Sequence, residues 1–138
     1  MFVEVIPGLI AEILAEAARA HPQEACGLLM GTGSRVELIV PAANIAADPL
    51  TGFEVDPATL LRTHRNARVA GQAVIGSYHS HPNGRSEPSP VDAAGVNGVG
   101  EIWLIAANGV VRGFLSGDAG FEPVDIREDQ GDGGPLAS

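Results

Sequence analysis

His79 and His81 stand two apart at the end of an apolar run, Ala73-Val74-Ile75-Gly76-Ser77-Tyr78, that reads as a buried strand. Side chains at i and i+2 of a strand share a face, so both imidazoles can converge on one point. Beyond His81, Ser89-Pro90-Val91-Asp92 opens a short helix with Asp92 in its first turn, where its carboxylate can face back toward the strand end. Two neutral imidazoles and one carboxylate make a zinc-binding set that leaves a fourth position open for water, the feature that separates a catalytic zinc from a structural one. Each half also has a plainer reading. An H-x-H pair need not bind metal, and Ser89 to Asp92 is a helix start of the capping-box type, with Asp where Glu is usual. The two roles of Asp92 do not exclude each other, and a metal site needs both halves at a loop distance that can close.

The elements that would position these residues follow from the hydrophobic pattern. Phe2 to Ile6 alternates and predicts an opening strand, after which Leu9, Ile10, Ile13, Leu14 and Ala17 recur at helical spacing until His21-Pro22. Cys26 to Met30 and Arg35 to Val40 are two apolar runs joined by a turn over Gly31-Thr32-Gly33-Ser34. Residues 41–52 read as a loop, and Phe53-Glu54-Val55 as a short strand or its edge. Asp56-Pro57 begins a second helix, Asp as N-cap and Pro at the first helical position, reaching about Ala70. After the Ser89 helix, Ile102 to Ala106 and Val110 to Leu115 form a hairpin through Asn108-Gly109, and Phe121 to Ile126 adds a last strand. The pattern predicts one α+β or mixed α/β domain over residues 1–127 and a flexible polar tail over 128–138.

Length and charge narrow the function classes. The chain has 138 residues, one ordinary domain, and 45% hydrophobic residues against 4% aromatic ones, so its core must be aliphatic. Eight positive residues, all arginine, face 17 acidic ones for a net charge of −9. Such a surface repels phosphate backbones and anionic lipid, which argues against nucleic-acid and membrane partners. No apolar run is long enough for a spanning helix, and no secretory leader pattern opens the chain, so a cytoplasmic protein is the expectation. The single cysteine, Cys26, excludes an intrachain disulfide and any Cys₄ or Cys₂His₂ zinc site.

The run from His79 to Asp92 has the form H-S-H, seven residues, S, two residues, D. It resembles the signature of the JAMM (MPN-plus) zinc metalloproteases. Gln23-Glu24-Ala25-Cys26-Gly27-Leu28-Leu29 fits that family's upstream glutamate at the start of a core strand, and the short connection from His81 to Ser89 resembles its compact prokaryotic branch. The resemblance covers nearly the whole chain in element order. It implies a single mixed β-sheet flanked by helices, with the layering of the JAMM/MPN and cytidine-deaminase-like folds. It further implies one Zn²⁺ per chain held by His79, His81 and Asp92, with Glu24 as general base on the water and Ser89 stabilising the oxyanion. Ser80 faces away from the histidines and would serve packing or support. The implied activity is hydrolysis of the amide bond after the C-terminal Gly-Gly of a ubiquitin-like or sulfur-carrier protein. The alternative is a non-catalytic MPN-type scaffold, against which the intact Glu24, His79, His81, Ser89 and Asp92 argue.

Other readings carry less. Cys26 sits in an apolar strand, where cysteine is more often inert packing than nucleophile. Glu87 gives His79-x-His81-x₅-Glu87 a cupin-like look, but a cupin is nearly all strand. A non-haem iron triad usually places its carboxylate beside the first histidine, unlike Asp92. Gly133-Gly134 resembles a ubiquitin-like ending, yet Pro135 to Ser138 follow it.

Overall fold

Along the strand that carries the histidines, alternate side chains enter two different clusters. The computed structural model describes residues 2–96 and 98–129. Its elements are β1 (Phe2–Val5), α1 (Leu9–Ala20), β2 (Cys26–Thr32), β3 (Arg35–Ala42), α2 (Pro57–Val69), β4 (Ala73–Ser80), α3 (Pro90–Ala94), β5 (Ile102–Ala107), β6 (Val110–Gly117) and β7 (Gly120–Glu128). Tyr78 of β4 and Leu104 of β5 point into an aliphatic cluster with Val3, Val5, Leu29 and Val36, capped by Leu9 and Ile13 of α1. Burying each of those two helix side chains stabilises the fold by about 1.5–3 kcal/mol. Trp103 and Ile105, the neighbours of Leu104, point the other way and pack with Phe114, Phe53 and Phe121. His79 belongs to that second face.

The sheet is mixed and runs β1-β3-β2-β4-β5-β6-β7. β1 pairs in parallel with both β3 and β7, so the sheet closes on itself, a closure that the alternation of Phe2 to Ile6 does not announce. β4 pairs antiparallel with β2, placing Cys26 opposite His79, and parallel with β5, placing Ile105 opposite His79. Two glycines permit this packing. A Cβ on Gly76 would meet the carbonyl oxygen of Ile102 at 1.9 Å, and one on Gly27 would meet the Tyr78 ring at 2.3 Å. α2 packs against β2 and β4, held at its start by Asp56, whose carboxylate accepts from the backbone N–H of Thr59 at 3.3 Å. The mixed sheet with helices against it is the α/β architecture expected from the pattern.

Several boundaries differ from the sequence pattern. Gly31 and Thr32 continue β2, pairing with Val36 and Arg35, and the turn is confined to Gly33-Ser34 with Gly33 at φ +60°. Phe53 to Val55 forms no strand, only a bridge from Val55 to Asn44. Glu128 and Asp129, assigned by composition to the tail, belong to the fold. Glu128 pairs with Val5 and accepts from the backbone N–H of Gly8 at 2.8 Å, and Asp129 binds Arg35 at 2.9 Å. Their acidity serves specific partners rather than solvation. The rest of the expected tail, 130–138, lies outside the described residues. Among the described residues no helix is long and apolar enough to cross a membrane.

Candidate metal centre

His81 lies one residue past β4, yet its backbone N–H donates to the carbonyl of Ala106 at 2.9 Å. That bond carries the pairing with β5 one step further and preserves the alternation. The two Nε2 atoms therefore meet at 3.0 Å, and each approaches the same carboxylate oxygen, Asp92 Oδ2, at 3.1 Å from His79 and 3.0 Å from His81. His81 Nδ1–H donates to the carbonyl of Arg85 at 2.7 Å, which leaves the Nε2 lone pair facing inward. The His79 ring is fully buried and stacks on Phe53 at 4.3 Å.

Asp92 is fixed by a reciprocal cap. Ser89 Oγ accepts from the Asp92 N–H at 3.0 Å, while Asp92 Oδ2 accepts from the Ser89 N–H at 2.8 Å. The five residues of α3 are too few to be stable alone. The oxygen that closes this capping box is thus the one presented to the histidines. Burial pushes the Asp92 carboxyl up, but the His79 and His81 rings beside it and the N–H of Ser89 outweigh it and hold it well below the usual carboxylate range. Burial pulls His79 down, keeping the neutral, ligating form. For His81 burial also pulls downward, but Asp92 and the Arg85 carbonyl outweigh it and raise the group.

The three donor atoms form a triangle with sides of 3.0–3.1 Å. A tetrahedral zinc with bonds near 2.0 Å sets its ligands about 3.3 Å apart, so the triangle needs only slight opening to hold one. Two imidazole nitrogens and one carboxylate oxygen also match the donor preference of zinc. The residues present fit the ion.

Glu24 completes the group, and the ligand-type atoms of Glu24, His79, His81 and Asp92 all lie within 4.8 Å of one another. It is buried, and its Oε1 has no hydrogen-bond partner among the described residues. Burial pushes its carboxyl up to about 7, with His81 opposing and Asp92 adding to the rise. Its main chain is held on several sides. The Glu24 N–H donates to the Pro49 carbonyl at 2.8 Å, the Glu24 carbonyl accepts from Asn44 Nδ2 at 3.0 Å, and the next N–H, of Ala25, donates to Ser80 Oγ at 2.8 Å. Ser80 thus braces the Glu24 segment.

A cleft of about 420 Å³ opens over this group, lined by Glu24, Leu50, Thr51, His81, Arg85 and Ser89 among others. Cys26 takes no part. Its buried thiol lies 3.7 Å from the carbonyls of Ala42 and Ala43, and burial, with the Glu24 charge adding, pushes it up to about 12. Glu87 lines the cleft but stands outside the four-residue group. Sequence reasoning missed Asn44 and Phe53. Asn44 carries only a turn-former's signal in its loop, and Phe53 reads as a strand residue, with nothing to pair it with His79.

Residues 7–116 match the family model described as prokaryotic homologs of the JAB domain. The chain belongs to this family. The JAMM resemblance carried by His79 to Asp92 is thereby borne out at the level of the family. A probable TtuB-protein conjugate cleaving protease of Thermus thermophilus is 38% identical over 85 residues, 62% of this chain and 57% of that protein's length. The desampylase of Haloferax volcanii is 33% identical over 93 residues, 66% of this chain and 67% of that one. A JAB1/MPN domain protein from Archaeoglobus fulgidus superposes with a TM-score of 0.62 at 21% identity, covering 92% of this chain and 96% of that one, and so shares the fold.

Proposed function

We propose that this JAB-family chain is a zinc-dependent isopeptidase that hydrolyses the amide bond after the C-terminal Gly-Gly of a ubiquitin-like or sulfur-carrier protein. One observation carries the reading: three ligand-type atoms converge beside a buried carboxylate oxygen that has no hydrogen-bond partner among the described residues. His79, His81 and Asp92 would hold the ion. When bound, zinc supplies a Lewis acid and makes water acidic near neutral pH. Glu24 then takes a proton from the attacking water and passes it to the leaving amine, which departs poorly unless protonated.

Ser89 stabilises the developing oxyanion. Capping occupies an acceptor lone pair of Ser89 Oγ and leaves its O–H free to donate, so the cap and the catalytic role are compatible. The substrate class rests on the names of the Thermus and Haloferax relatives, and glycine is the residue that lets a substrate backbone approach a site most closely. The test is to incubate zinc-loaded protein with carrier fusions ending in Gly-Gly before the leaving group, and to weigh the products. Cleavage after the second glycine, abolished by a chelator and restored by zinc, is the expected result. Intact fusions with fully zinc-loaded protein would overturn the proposal.

A further inference from the structure

We infer that Asn44 is a positioning residue that sets Glu24 against the three-ligand site; the inference rests on the reading of Glu24 as the base. The β2–β3 ladder ends where Cys26 pairs with Ala42. Glu24 and Asn44 each lie two residues beyond that last pair, past the end of the β2–β3 ladder. The Asn44 side chain takes over. Its Nδ2 donates to the carbonyls of Glu24 and Gly52, both at 3.0 Å, and its Oδ1 accepts from the N–H of Ala46 at 3.0 Å and of Glu54 at 3.1 Å. Both donors and both acceptor lone pairs of the amide are used. Turning the amide over would set oxygen against two carbonyls and NH₂ against two N–H groups, so the network fixes its orientation.

These bonds join the base to the segment that builds the rest of the site. Residues 45–55 supply the Pro49 carbonyl that receives the Glu24 N–H, the Leu50 and Thr51 walls of the cleft, and the Phe53 ring stacked on His79. One half-buried amide therefore ties the base, a cleft wall and the support of a ligand into one unit. Glu24 gains its placement through its main chain, and its Oε1 has no hydrogen-bond partner among the described residues.

Asn44→Asp separates the two sides of the amide, because it keeps an acceptor for Ala46 and Glu54 and loses the donation to Glu24 and Gly52. Hydrogen exchange of the full chain, with and without zinc, is read alongside zinc content and steady-state cleavage. The expected result is faster exchange confined to peptides containing Glu24-Ala25 and residues 45–55, with unchanged exchange around His79–His81 and unchanged zinc stoichiometry. The kcat should fall by roughly 10- to 10²-fold while KM stays within about twofold, as for a misplaced catalytic group. Asn44→Ala should show the same pattern more strongly; if it fails to fold, Asn44→Asp alone decides. Wild-type exchange at Glu24-Ala25, a wild-type kcat in Asn44→Asp, or exchange raised evenly through β2 and β3 would overturn the inference. Absence of cleavage by the unsubstituted chain counts against the isopeptidase reading alone, and exchange then decides the role of Asn44.

Discussion

His79, His81 and Asp92 take their places from regular structure, whereas Glu24 takes its place from loops. Strand alternation aims the two imidazoles, and a capping box aims the carboxylate, so the donor atoms converge on one point. Glu24 precedes its strand, and Asn44, Pro49 and the Ser80–Ala25 bond hold its main chain while Oε1 has no partner among the described residues. The difference follows from the work each half would do. Atoms that hold a cation can be satisfied and still serve. An atom that moves a proton must be left unsatisfied, so the surroundings have to fix everything around it.

The largest effects should come from breaking the ligand half. Purified protein is expected to hold about one zinc per chain, and His81→Ala or Asp92→Ala should remove most of it together with all cleavage, since two ligands remain where three are needed. Metal analysis after dialysis checks this. Full zinc occupancy in His81→Ala would dissolve the distinction between the halves.

Glu24→Gln should break the other half alone, keeping zinc while kcat falls by roughly 10²- to 10⁴-fold. It also has a consequence for stability. In the metal-free fold the Glu24 carboxyl rises from an ordinary 4.5 to about 7, so ionisation opposes folding. Below 4.5 the group is neutral in folded and unfolded chains alike, and through the window up to about 7 the wild type loses stability relative to Glu24→Gln. Urea midpoints of the metal-free proteins at pH 5 and pH 8 should therefore diverge in favour of the glutamine variant. A constant gap would mean that the carboxylate is hydrated rather than buried.

Ser89 spans both halves, and aspartate divides its roles. Ser89→Asp keeps a capping acceptor but removes the hydroxyl donor and adds a negative charge beside the developing oxyanion. It should fold near normally, hold zinc and lose about 10²- to 10³-fold in kcat. Melting temperature, zinc content and cleavage rate are read together, and wild-type turnover would leave Ser89 a cap only.

The same contrast sets how far the sequence could be read. The His79/His81 pair and the Ser89–Asp92 cap are legible because each depends on neighbours within a few positions and on one rule of strand or helix geometry. Glu24 is ambiguous by itself, a polar residue ahead of a strand, and only the resemblance singles it out. Asn44, Phe53 and the task of Ser80 depend on segments brought together beside the β2–β3 and β2–β4 pairings: Asn44 reaches 20 positions back to Glu24, and Ser80 reaches 55 back to Ala25. Local pattern carries no record of such meetings. Closure through β1 and the recruitment of Glu128 and Asp129 escape it for the same reason.

The smallest effect tests where Ser80 belongs. It stands between the two histidines but on the opposite face of the strand, and its Oγ accepts the buried N–H of Ala25 and so braces the Glu24 half. Ser80→Ala would leave that N–H without a partner at a cost of about 1–3 kcal/mol. The main-chain bond from the Ser80 N–H to the Ala25 carbonyl at 3.1 Å survives, so the segment should loosen without detaching. His79 and His81 are aimed by their own backbone, so zinc stoichiometry should not change. Calorimetry should show a melting temperature lowered by about 3–10 °C, and kcat should fall only a few-fold because Asn44 and Pro49 still hold Glu24. Ser80→Thr keeps the acceptor and should recover most of the stability. Loss of zinc from Ser80→Ala at unchanged melting temperature would place Ser80 with the ligands and break the division between the two halves.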